Sequence, residues 1–406
     1  IQSGWIHDDP RDPGTQQPST LTMRKDGPAE QYPRAPATPR RNALDALFRP
    51  RSVAVVGASS DPNKIGGRPL AFLRRAGYGG AIYPVNPGAD EVQGIKAYRS
   101  VAHIEDPVEH AIIAVSPRET LAVLKQCAEK GVRAVQVFSS GFGETGAPGR
   151  ELQEQLVDTA REAGIRLIGP NSLGLFNVQE RFFGTFATVL DSSWPTAGDV
   201  SLASQSGGFG SLVYLLTRGR GLGFSHFITT GNETDVDIAD CIRYLADESC
   251  TRVIVAAFEG CRDGRRLMAA LEAAHRRGKP VIVMKLGATE VGAKAVESHT
   301  GALAGTDAVF DAAFRQGHAH RARSLDELVD CAYAASRARP PRGPRLGIVT
   351  FSGGVGVLAA DAAARHGIEL PPLPVSATAR IKALLPTATA GNPLDTSAAL
   401  VNDLSL

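Results

Sequence analysis

A chain of 406 residues, 43% apolar and 21% charged, has the composition of a soluble globular protein and the length of two or three domains. Its net charge of +2 offers no broad basic surface for nucleic acid, and no run of 18 apolar residues is available to span a membrane. The five cysteines, at 127, 241, 250, 261 and 331, are scattered without a CxxC pair, which fits a reducing cytosol and speaks against a disulfide framework, a structural zinc or any other metal site.

Residues 1–42 are rich in Pro, Asp, Arg, Gln and Thr and carry no apolar periodicity, so a disordered tail is expected there. No apolar h-region marks a signal peptide, and the missing initial Met, with Met23 as an internal start, suggests a fragment or a processed end. From Leu44 short apolar runs alternate with amphipathic segments. Strands are expected at 52–58, 81–87, 110–117, 134–141 and 165–171, with helices at 68–77, 118–131 and 148–164. This alternation implies a parallel sheet with helices on both faces and ligands at the carboxyl ends of the strands. The pattern restarts after a Pro/Gly break near 195–198, with strands at 199–204, 224–232, 252–260 and 280–285 and helices at 235–248, 262–278 and 307–316. A second break, ARPPRGP at 338–344, precedes one more strand, SGG and helix at 345–367. The expected domains are therefore 43–170, 171–340 and 344–406, the last too short to complete an α/β unit and so read as truncated.

Several strand-end loops carry chemistry. VVGASSDPNKIGG (55–67) follows the first strand; it is not GxGxxG, and Asn86 and Pro87 stand where a dinucleotide fold would place a ribose-binding acid. A phosphate cradle built from backbone N–H groups with Ser59 and Ser60, and a plain strand-to-helix turn, both fit it. SQSGGFG (204–210) and TFSGGVG (350–356) are internal copies that put SGG between a buried strand and a helix. Two helix N-termini converging on one point suit a doubly charged phosphate. GATEVGAK (287–294) nearly spells a P-loop, but its Lys is displaced and no Ser or Thr follows, so it is no ATP site. Among nine histidines, His299 alone is expected in a Gly-flanked loop after a strand, between Ser298 and Thr300, where a nucleophile has room to move. In TTGNETDVD (229–237), Asp235 and Asp237 fall where helix-capping acids belong. Glu233 does not, which leaves it either a solvated loop acid or the carboxylate that fixes an imidazole tautomer.

From Leu44 onward the chain resembles the α half of the NDP-forming acyl-CoA synthetases, the superfamily of ADP-forming acetyl-CoA synthetase and succinyl-CoA synthetase. VAVVGASSDPNKIGG and YPVNP resemble its CoA-binding segment, GPNSLG (169–174) its GPN turn, ESHTGALAG its phosphohistidine segment and GNETDVD the segment of the partner Glu. The resemblance implies an α/β fold: a Rossmann-like CoA-binding domain, a flavodoxin-like ligase domain and the start of a second one. It assigns CoA to Gly57, Ala58, Ser59, Ser60, Lys64, Asn86, Pro87, Val115, Ser116, Pro117, Ser140 and Gly141. The phosphate falls to Asn171, Ser206, Gly207, Gly208, Ser352, Gly353 and Gly354, and catalysis to His299 and Glu233. The implied reaction turns acyl-CoA and phosphate into acyl phosphate and CoA, passes the phosphoryl group to His299 and releases a small carboxylic acid. An ATP-grasp module, on a β subunit or a further domain, then makes ATP from ADP with Mg; no such module is found here. Assembly into an oligomer and a cytoplasmic location are expected, with no nucleic-acid or membrane partner. Two other classes compete: a CoA sensor without catalysis, and a nicotinamide oxidoreductase, against which the missing GxGxxG argues.

Overall fold

The computed structural model describes residues 42–300, 306–339 and 341–397, without the side chains of 297–300. The expected tail, 1–41 of it, lies outside the described residues. The chain divides into two compact units between Ser336 and Arg337. The first unit opens with five strands: β1 (Ser52–Val56), β2 (Ala81–Val85), β3 (His110–Ile113), β4 (Ala134–Val137) and β5 (Arg166–Ile168). They form one sheet in the order β2-β1-β3-β4-β5, parallel throughout. Helices α1 (Arg68–Ala76), α2 (Pro117–Lys130) and α3 (Ala147–Glu162) provide crossovers. β1, β3 and β4 are buried end to end, so their segments read as near-continuous apolar runs. Two of the three polar residues within them, His110 and Gln136, pair across β3 and β4, ring and amide nitrogens 2.8 Å apart.

A second sheet holds β6 (Gly174–Asn177), β7 (Phe182–Thr185), β8 (Ala197–Ser204), β9 (Phe224–Thr229), β10 (Val253–Phe258), β11 (Val281–Lys285) and β12 (His320–Arg321). Its order is β12-β11-β10-β8-β9-β6-β7. The strands from β8 to β12 pair in parallel, whereas β6 runs antiparallel to both β9 and β7. Helices α4 (Gly207–Gly219), α5 (Ile238–Asp247), α6 (Gly264–Arg276), α7 (Glu290–Thr300), α8 (Asp307–Gln316) and α9 (Leu325–Arg337) accompany it. The β6–β7 hairpin is absent from the sequence reading. All eight of its residues are buried, so it lacks the two-residue alternation of a half-exposed hairpin. Phe176 stacks between Phe183 and Phe227, at centroid distances of 5.1 and 5.2 Å.

In the second unit β13 (Val349–Thr350), β14 (Thr389–Ala390) and β15 (Leu394–Asp395) form a small sheet with α10 (Gly353–Arg365) and α11 (Val375–Leu384). No helix among the described residues is long and apolar enough to cross a membrane.

Candidate active site

The residues expected to meet CoA all follow the carboxyl ends of β1 to β4. The turn after β1 needs glycine: Gly57 has φ +84°, and a Cβ there would lie 2.4 Å from the Ala114 carbonyl oxygen. Side chains from the segment that follows β2 shape the loop. Asn86 Nδ2 donates to the Ala58 carbonyl at 2.8 Å, and Gln93 Nε2 donates to those of Ser59 and Gly67, each at 2.9 Å. Ser60 and Lys64 are left exposed in front of α1. A free ammonium and hydroxyl ahead of a helix N-terminus are the donor chemistry that a phosphorylated ligand such as CoA requires. Two other assigned groups already have internal partners. The Ser116 hydroxyl donates to Glu119 Oε2 at 2.6 Å while capping α2, and the Gly141 N–H donates to Glu144 Oε1, also at 2.6 Å.

Between the two sheets lies a cavity of about 710 Å³. Its lining brings together Glu233, Asn171 and the Ser206–Gly208 start of α4. Ser206 caps α4, its hydroxyl accepting from the Phe209 N–H, and the first N–H groups of a helix have no partner within it. Gly207 packs so closely that a Cβ would lie 2.5 Å from Leu173 Cγ, whereas a Cβ on Gly208 would meet nothing within 4 Å. Phe138, Leu173 and Phe186 supply an apolar wall, and the exposed Arg150 and Arg262 add two cations.

Glu233 is buried, with an unusual φ of +54°. Its loop is sewn to the GPN turn: Asn232 N–H donates to Pro170 O at 3.0 Å, and the Thr234 hydroxyl to Gly169 O at 2.8 Å. Gly231 permits this approach, since a Cβ there would lie 2.3 Å from Pro170 O. Glu233 Oε1 accepts from the Thr230 hydroxyl at 2.8 Å and the Ile238 N–H at 2.9 Å, and Oε2 accepts from Gln205 Nε2. Burial pushes this carboxyl up to about 7 against those three donors. The solvated-loop reading of Glu233 therefore does not hold. Asp237 does cap α5, accepting from Asp240 N–H at 2.8 Å. Asp235 does not: it pairs with Arg166 at 2.9 Å and accepts from Leu167 N–H at 2.8 Å, tying the same loop to β5.

Of the Gly-flanked loop expected around His299, residues 295–300 are instead the end of α7, a helix from Glu290 to Thr300, and 301–305 lie outside the described residues. The segment 290–297 is rich in good helix formers. Thr289 Oγ1 accepts the Gly292 N–H at 3.1 Å, a capping signal legible in the sequence but outweighed there by the glycines. The side chain of His299 lies outside the described residues. The α7 helix comes alongside the Gly143–Thr145 turn, and Gly143 is part of the cavity lining. Ser352, Gly353 and Gly354 do start a helix as expected, in the second unit. There a carboxylate stands close: a Cβ on Gly353 would lie 3.0 Å from Asp395 Oδ2. The sequence reading missed Gln205, Asn232, Arg150, Gln153 and Arg262, all of which line the cavity; only the position of Gln205 and Asn232 beside motif residues could have drawn attention to them.

Two family models match the chain. A CoA binding domain covers residues 51–177, and a succinyl-CoA ligase like flavodoxin domain covers 197–335. The α subunit of acetate–CoA ligase (ADP-forming) II from Pyrococcus furiosus is 40% identical over 353 residues, 87% of this chain and 76% of that one. The acetate–CoA ligase (ADP-forming) of Methanocaldococcus jannaschii is 38% identical over the same share of this chain but only 49% of its own length. Among solved structures, acetyl-coenzyme A synthetase 1 of Ca. Korarchaeum cryptofilum, in complex with phosphate and ADP, superposes with a TM-score of 0.82 at 38% identity, covering 87% of this chain and 75% of that chain.

Proposed function

The chain belongs to the ADP-forming acetate–CoA ligase family, and from that premise we propose that His299 carries a phosphoryl group within its cavity. The reading rests on one observation: a buried carboxylate, Glu233, shares a cavity with the N-terminus of α4. That pairing suits a histidine that must be oriented by an acid and then carry a dianionic group. CoA enters along the carboxyl ends of β1 to β4 and brings its acyl thioester toward the cavity. Inorganic phosphate attacks the thioester carbonyl, CoA leaves as the thiol, and an acyl phosphate remains. His299 then displaces the carboxylate from phosphorus, giving phosphohistidine and the free acid. Glu233 holds the Nδ1 or Nε2 proton of the ring so that the other nitrogen attacks. The first N–H groups of α4 and the side chains of Ser206 and Asn171 receive the phosphate oxygens. The second half of the reaction, transfer to ADP with Mg, falls to an ATP-grasp subunit or domain in the cytoplasm. The Methanocaldococcus relative, about twice the length that this chain matches, has room for such a module in one polypeptide.

The test is direct. Incubated with acetyl-CoA and labelled phosphate, the chain should acquire a label that acid releases and base does not, as a phosphoramidate does and a serine or threonine ester does not. His299→Asn should abolish it. Undiminished acid-labile label in that variant would defeat the assignment.

A further inference from the structure

We infer that Gln205 is a positioning residue for this reaction: its amide fixes the Glu233 carboxylate so that one lone pair of Oε2 is left for the imidazole. The inference rests on the role proposed for Glu233 above.

Gln205 stands between the last residue of β8 and the N-cap of α4, so it joins the two features that define the cavity. Its backbone is held on both sides, N–H to Ala257 O at 3.0 Å and carbonyl from Gly231 N–H at 3.1 Å. Its side-chain orientation is fixed by four bonds. Oε1 accepts from the N–H groups of Glu259 and Gly260, the latter at 3.1 Å. Nε2 uses one hydrogen on the Gly260 carbonyl at 3.0 Å and the other on Glu233 Oε2. A flipped amide would set NH2 against two N–H donors and oxygen against two acceptors, losing all four. The assignment of donor and acceptor is therefore forced by the surroundings.

A carboxylate offers about four lone-pair sites. Thr230 and Ile238 take two on Oε1, and Gln205 takes one on Oε2. The site that remains among the described residues is on Oε2, beside the Gln205 amide. An ammonium or guanidinium here would clamp as firmly, but it would quench the charge that the imidazole N–H must meet. A neutral amide donates without that penalty and does so at every pH. Burial favours the protonated Glu233, which cannot accept from the ring through that oxygen, and the Gln205 donor works in the opposite direction.

The experiment reads Glu233 itself, on the whole chain and without a partner. The carboxyl stretch is followed by isotope-edited infrared titration, with Glu233→Gln identifying the band by its loss. In Gln205→Met, of similar length but with no donor, the midpoint should rise by about one to two pH units, the equivalent of one hydrogen bond to a charged group. Gln205→Glu keeps an acceptor for the two loop N–H groups and serves if the Met variant does not fold; its midpoint should also rise. The low-pH limb of phosphohistidine formation should move by the same amount. A residue that merely braces the 259–260 loop would leave the midpoint where it is, and that result overturns the inference. A midpoint that moves while the phosphorylation profile stays put confirms the Gln205–Glu233 coupling and overturns the role given to Glu233.

Discussion

Gly208→Ala separates stability from phosphate handling at the start of α4. In the first turn of that helix Gly207 and Gly208 look alike in sequence, yet their surroundings differ. A methyl at 207 would lie 2.5 and 2.7 Å from Leu173 carbons, whereas one at 208 meets open space on the cavity wall. Alanine at 208 should therefore be tolerated and should favour the helix, by at most about 1 kcal/mol. That is a rise in melting temperature of roughly 2–4 °C if the unit melts like a domain of this size. The same methyl reduces access to the helix N-terminus. Losing one hydrogen bond to a charged phosphate costs about 1.5–3 kcal/mol, or roughly a ten- to hundredfold shorter life of the phosphoenzyme. Gly207→Ala must instead displace Leu173 and should lower stability by about 1–3 kcal/mol. The assays are thermal melts and the decay of acid-labile label after removal of free phosphate. A Gly208→Ala protein that is as stable as expected but keeps its label as long as the parent would show that this N-terminus does not hold the phosphate.

Two further outcomes follow from other parts of the chain. Lys64 is exposed, so Lys64→Ala should leave the melting temperature unchanged while weakening CoA binding at least about tenfold in calorimetry, the scale of one charge-assisted bond; equal affinity would move the CoA phosphates elsewhere. His110 and His226, pushed by burial down to about 4 and about 3, bind no proton in the folded chain where the unfolded chain binds one each, so stability falls as pH drops below about 6.5. Glu233, raised to about 7, acts oppositely between about 4.5 and 7, because there the folded chain holds a proton that the unfolded chain releases. Glu233→Gln should therefore steepen the pH dependence of urea stability between about pH 4.5 and 6.5, by about 1.4 kcal/mol per pH unit; an unchanged slope would mean that Glu233 is ionised throughout.

What the sequence showed and what it hid divide along physical lines. Strands buried on both faces were legible as continuous apolar runs set between helices that carry a 3.6-residue periodicity. The β6–β7 hairpin was not, because GLFN and FFGT are short runs broken by Gly, Asn and Thr, and the pairing of β6 with β9 is long-range. The SGG turn at 206–208 and Glu233 were legible as residue types at strand ends. Their convergence was not, since it depends on Gly231 allowing the GPN turn to approach and on Asp235 leaving its expected capping place to pair with Arg166. The α7 helix was misread because Gly292, Gly301 and Gly305 outweighed the Thr289 cap. Gln205 escaped notice because an amide carries no charge or motif; its importance is visible only from the four groups around it.

The cavity draws its lining from both sheets, and in the proposed function a short hydrogen-bond path joins its CoA side to its phosphate side. Gly141, one of the residues assigned to CoA, donates its N–H to Glu144 Oε1. The other oxygen of Glu144 accepts from Asn232 Nδ2 at 2.5 Å, and Asn232 is the neighbour of Glu233. Despite partial burial, the Asn232 amide and the N–H groups of Gly141 and Phe142 hold Glu144 below the usual carboxylate range, so it is a fixed anion at neutral pH. A CoA oxygen that takes the Gly141 N–H must release one donor from that anion. Glu144 then either turns more fully onto Asn232 or accepts a new donor from the ligand. In that proposal either change would reach Asn232, the neighbour of Glu233. If CoA binds at Gly141 as proposed, the two hydrogen bonds that share the Glu144 carboxyl group predict a reciprocal effect, tighter or weaker CoA binding in Asn232→Ala by calorimetry, and an unchanged affinity would refute it.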